Sequence, residues 1–101
     1  MSQILPGPDC TSMAEVRAGV DALDRELVAL LRRRFDYMDA AARIKPARGA
    51  VRDEARKAQV IAQACAEAER LSLPADAIAA LWEHLVEASI AYELAAFDAR
   101  G

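Results

Sequence analysis

Apolar residues recur at helical spacing over most of the chain. Between Met13 and Lys45 they fall into three rows taken in steps of seven. One row is Val16, Leu23, Leu30, Tyr37 and Ile44. The next is Met13, Val20, Leu27, Arg34 and Ala41. The third is Arg17, Asp24, Leu31, Met38 and Lys45. This heptad-like period predicts one long amphipathic helix. Ser12-Met13-Ala14-Glu15 fits a capping box at its start, with a side-chain oxygen at the N-cap and a carboxylate three residues on. Pro46 stops the helix after Lys45. Pro46 to Val51, with Gly49, reads as a short loop. Asp53 is the expected N-cap of a second helix ending near Leu71, its inward face formed by Lys57, Val60, Ile61, Ala64, Ala68 and Leu71. Ser72-Leu73-Pro74 is a second break, and Pro74 suits the first turn of a helix. A third helix is expected from Ala75 to Phe97, with Ile78, Leu81, Trp82, Leu85, Ile90 and Phe97 largely inward.

Composition supports this pattern. The chain of 101 residues corresponds to one domain, read as a flexible N-terminal lead over residues 1–11 and a helical domain over 12–101. Hydrophobic residues make up 54% but aromatics only 5%, because alanine and leucine, the strongest helix formers, dominate. Gly and Pro number four each, too few for a turn-rich β protein. The reading is all-α. A net charge of −3 argues against a nucleic-acid partner, which normally leaves a basic footprint. No apolar run is long enough for a membrane span. The first seven residues lack the basic and apolar regions of a signal peptide, so a cytoplasmic location is expected. Cys10 and Cys65 fit no metal spacing and read as free thiols.

Arg17, Arg34 and Lys45 interrupt the apolar stripe of the first helix. A cation buried without a partner costs several kcal/mol. Either the long stems reach out to water or pair with internal carboxylates such as Asp24, or the set faces an anionic ligand. Other inward polar residues favour the ligand. Ser89 and Glu93 share a face of the third helix at i and i+4, and Arg56 follows Asp53 at the start of the second, where a guanidinium can grip a carboxylate in a bidentate fashion. Arg34 and Lys45 lie about 16 Å apart along the axis on nearly one face, close enough to meet a small ligand from both ends. Arg17 is about 25 Å before Arg34, too far to reach that ligand within its own subunit. A helix of about 50 Å with an apolar stripe needs a partner, and a homodimer is the simplest one. In an antiparallel dimer Arg17 enters the partner's site, which gives two equivalent sites built from both chains.

Arg17, Arg34, Lys45, Asp53, Arg56, Ser89 and position 93 follow the order and approximate spacing of the all-helical AroQ-class chorismate mutases, which the chain resembles over residues 9–97. Asp9-Cys10-Thr11 and Arg33-Arg34-Phe35-Asp36-Tyr37 look especially like the isochorismate-pyruvate lyase branch of the same fold. The resemblance implies an intertwined dimer of three-helix chains. It also implies the rearrangement of chorismate to prephenate in one pericyclic step, without metal, cofactor or covalent intermediate. Arg17 of the partner and Arg34 would hold the two carboxylates of the dianionic substrate. Lys45 and a donor at position 93 would stabilise the charge that develops on the ether oxygen. Arg56 would close the loop end, and Asp53 and Ser89 would handle the ring hydroxyl or a carboxylate edge. The catalytic set is thus Lys45, Glu93 and Arg34, and no metal is expected.

Two positions depart from the family pattern. Many members carry glutamine at position 93; Glu93 must be protonated to donate a hydrogen bond. Lys57 stands where many mutases carry an acidic residue that helps bind the ring hydroxyl, a role that passes to Asp53. The alternatives are a lyase giving salicylate and pyruvate from isochorismate, and a non-catalytic helical dimer that binds an acidic metabolite. His84, Trp82 and Tyr92 read as structural or solvent-facing residues.

Overall fold

The computed structural model describes residues 4–100. Three helices account for most of them: α1 (Met13–Ile44), α2 (Glu54–Arg70) and α3 (Ala75–Ala99). A 3-10 turn at Gly7–Asp9 lies in the N-terminal lead, and another at Arg48–Ala50 lies between α1 and α2. There is no strand among the described residues. The all-α reading therefore holds, with each helix bounded within about two residues of its expected ends.

The local signals act as their chemistry dictates. Glu15 Oε1 accepts from the backbone N–H of Ser12 at 3.0 Å, and Ser12 Oγ accepts from Glu15 N–H at 3.2 Å, completing the capping box. Thr11 N–H at 2.8 Å and the Thr11 and Ser12 hydroxyls, each at 3.1 Å, donate to the same carboxylate oxygen. These bonds, Thr11's backbone bond first, hold the Glu15 carboxyl below its usual range. Asp53 caps α2 by accepting from Arg56 N–H at 3.0 Å. At the other end of α2, Ser72 takes a left-handed φ of 58°. Leu73 N–H then reaches back to Ala68 O at 2.8 Å, closing the helix as a Schellman turn. Pro74 stands at the N-cap of α3.

The chain divides into two units, residues 1–34 and 35–101. In the first, Ile4, Leu5 and Cys10 of the lead and Val16, Gly19, Val20 and Leu23 of α1 line a cavity of about 460 Å³. Apolar side chains of α1 stay exposed, among them Val16, Val20, Leu23, Leu27 and Leu30. In the second unit α2 and α3 run antiparallel, since Arg52 pairs with Glu87, Lys57 with Glu83, and Cys65 Sγ with Ala75 O. Val51, Val86 and Ile90 form the core there, flanked by Val60, Ile61, Leu94 and Phe97. Tyr37 and Ile44, on the row that begins at Val16, are 72% and 78% exposed.

Two expected core positions are corrected. Leu71 is 55% exposed and Leu81 60% exposed. Leu71 is the C-cap residue of α2, where the backbone leaves the helical path and the inward row ends. Leu81 is on the exposed side of α3, while its neighbour Trp82 is half-buried.

Candidate functional site

Lys45 follows the last residue of α1, and its N–H still bonds Ala41 O at 2.9 Å in helical fashion. Its ammonium donates to Glu93 Oε2 at 2.6 Å and to Val51 O at 3.3 Å. The two side chains differ in burial: Glu93 is 5% exposed and Lys45 29%. A lysine ammonium has three donors. Two are committed here, so one is left for an incoming acceptor on the open side. The pairing also balances the buried carboxylate, which would be costly alone.

α3 places Glu93 through its own periodicity. Ser89, one turn before, is buried on the same face, and its Oγ donates to Leu85 O at 2.7 Å. Ile90 and Phe97 carry the adjoining apolar positions into the core. Tyr92 points elsewhere: its hydroxyl donates to Asp39 at 3.0 Å, and its ring meets Phe35 edge-on at 4.8 Å.

The other expected site residues are distributed differently. Asp53 and Arg56 are exposed at the start of α2. Asp53 is occupied as the helix cap, and the Arg56 guanidinium donates to Gln59 at 2.7 Å. No hydrogen bond or ion pair among the described residues joins either of them to Lys45 or Glu93. Arg17, exposed, and Arg34, half-buried, belong to the first unit.

Lys57 faces inward as expected, at 17% side-chain exposure, but toward acids on α3. Its ammonium bonds Glu83 and Glu87, each at 2.8 Å. Glu87 also receives a bidentate grip from Arg52 at 2.8 and 3.1 Å. Arg52 first, then Lys57, hold the Glu87 carboxyl down to about 2. The same contacts raise Arg52 and Lys57 above their ordinary values. Lys57 thus ties α2 to α3 through these two carboxylates.

Three arginine contacts were not foreseen from sequence. Arg48 forms a fork with Asp98 at 2.9 and 3.3 Å. Arg52 engages Glu87, and Arg100 bonds the carbonyls of Ala42 and Lys45. All bind the 45–53 segment or the end of α1 to α3. Their separations of 35 to 58 residues give no local signal. The spacing of Glu83 and Glu87 at i and i+4 on α3 was the one visible clue to an acceptor for Lys57.

Comparison with known proteins bears on this arrangement. The family model described as chorismate mutase type II matches residues 16–94. The chain belongs to this family. It is also 31% identical over 86 residues to an isochorismate pyruvate lyase of Pseudomonas aeruginosa, covering 85% of each chain. The matched span of the chorismate mutase family runs from Val16 through Leu94 and so contains both Lys45 and Glu93. Family membership places the protein in an enzyme group that holds both mutases and this lyase.

Proposed function

We propose that the protein is a chorismate mutase, converting chorismate to prephenate with neither cofactor nor metal. The observation that carries this reading is the Lys45–Glu93 contact: a cation with one donor to spare, held against a buried side chain on α3. Chorismate is a dianion with an enolpyruvyl ether. As the ether C–O bond breaks and the new C–C bond forms, negative charge grows on the ether oxygen. The free donor of Lys45 meets that oxygen on one side. Glu93 meets it on the other through the oxygen not bound to Lys45, when that oxygen carries a proton. Both interactions strengthen with the developing charge, so they lower the barrier rather than only bind the ground state. Holding the flexible ether in its folded conformer supplies the rest.

Binding of the two substrate carboxylates is assigned to Arg34 and to Arg17 of a second copy. Asp53, Arg56 and Ser89 complete the set at the loop end and beside Glu93. The exposed apolar row of α1 supports a homodimer. Among the described residues the buried apolar ones are Ala42, Val51, Ala68, Val86 and Ile90, a thin core for a chain of this size.

The second reading is isochorismate-pyruvate lyase activity, favoured by the 31% identity with the Pseudomonas aeruginosa enzyme. It breaks the same kind of ether bond and uses the same cations. One purified sample offered both substrates decides. Prephenate from chorismate supports the first reading; salicylate and pyruvate from isochorismate supports the second. Turnover of neither, with an acidic ligand still bound, leaves a binding protein.

A further inference from the structure

One helix grips Lys45 at both ends. Glu93 on α3 takes the ammonium at 2.6 Å. Seven residues on, Arg100 takes the main chain: its Nη1 donates to Lys45 O at 2.8 Å and to Ala42 O at 3.1 Å. These carbonyls belong to the C-terminal end of α1, where no intrahelical donor follows and a cation is electrostatically favoured. The guanidinium is itself fixed, lying 3.7 Å over the Phe97 ring, which packs against the core. Glu93, Phe97 and Arg100 follow one another at i, i+4 and i+7, so they share a face of α3. The backbone origin of Lys45 and the acceptor of its ammonium are therefore referenced to the same rigid element.

We propose that Arg100 is a positioning residue for Lys45. It sets where the lysine backbone ends α1, and so where the spare N–H points. The proposal rests on the mutase or lyase reading for its effect on rate, but not for its geometry. Arg100→Met keeps an unbranched stem over Phe97 and removes the donors. Arg100→Lys restores a donor on a similar stem.

The sequence contains two lysines, Lys45 and Lys57, so a spectrum of isotope-labelled lysine ε-methylenes has two signals, assigned with Lys57→Arg. Lys57 serves as the internal reference, since its partners Glu83 and Glu87 lie far from Arg100 along α3. In Arg100→Met the Lys45 signal moves and that of Lys57 stays. With a turned-over substrate, kcat falls about tenfold or more while KM changes little, because misplacing one catalytic group costs the transition state rather than overall binding. Arg100→Lys, whose added lysine gives a third signal absent from the wild type, recovers most of both, with the Lys45 signal back near its wild-type position. An unmoved Lys45 signal, an unchanged kcat, or equal shifts of both lysine signals overturns the proposal. If the wild-type protein turns over neither substrate, the functional reading falls, and the two lysine signals still decide the role of Arg100.

Discussion

At position 93 the proposed chemistry turns on a single proton. An ionised carboxylate accepts hydrogen bonds and repels a developing oxyanion; a carboxylic acid donates. Glu93→Gln supplies a permanent donor, so its pH–rate profile is flatter than that of the wild type. Identical profiles for the two proteins would count against this role. Lys45 carries no such condition, and Lys45→Ala lowers kcat/KM by about 10²-fold or more, the usual effect of removing a donor aimed at a developing charge. A different residue stores backbone strain. Ser72 holds φ at 58°, where a Cβ is unfavourable. Ser72→Gly is expected to stabilise the fold by about 0.5 kcal/mol, the left-handed penalty exceeding the added freedom of the unfolded chain. A higher urea midpoint at unchanged slope is the measurement.

At the scale of elements, α2 and α3 are fastened by the Arg52–Glu87–Lys57–Glu83 network. Glu87 is held down to about 2 from an ordinary 4.5. A carboxyl depressed in the folded state stabilises the fold fully above its ordinary value, and that contribution is lost as pH falls through the folded value. Between about pH 4.5 and 2 the wild-type melting temperature therefore falls more steeply than that of Glu87→Gln. Thermal melts across that window test the sign. The elements themselves were largely legible in the sequence. Ser12 with Glu15, and Asp53, announce helix starts because their capping bonds are made within four residues of chain, and Pro74 does so because its fixed φ suits a helix start. Helical periodicity likewise predicted the inward faces of Val60, Ile61 and Ile90, now in or against the core. The same periodicity misjudged Leu71 and Leu81, because it finds an apolar face without saying how far the covering element extends. Lys45 and Glu93, 48 residues apart, were placed at one site by the family resemblance and by inward position on separate helices, while their direct contact appears only in the folded chain. Arg48, Arg52 and Arg100 had exposed, unremarkable settings in the sequence, and only the folded chain brings their acceptors near.

For the whole molecule, the homodimer proposed above would cover the exposed apolar row of α1 with a second copy of that helix. If each site takes Arg17 from one chain and Lys45 from the other, two inactive variants can repair each other. Arg17→Ala and Lys45→Ala, unfolded and refolded together in equal amounts, form mixed dimers in about half of the population. Each mixed dimer has one site free of both changes, so about a quarter of wild-type activity returns. Activity that stays at the level of the separate variants sinks the shared-site dimer.

The two lysines have a practical consequence for anyone attaching a dye, a spin label or a surface to this protein. Both side-chain amines sit in ion pairs with α3, Lys45 with Glu93 and Lys57 with Glu83 and Glu87. Acylation turns an ammonium into a neutral amide, so an amine-directed reagent that modifies a lysine here removes either the charge at the proposed site or a tie between α2 and α3. Coupling chemistry aimed elsewhere, at an introduced exposed thiol for example, leaves both in place.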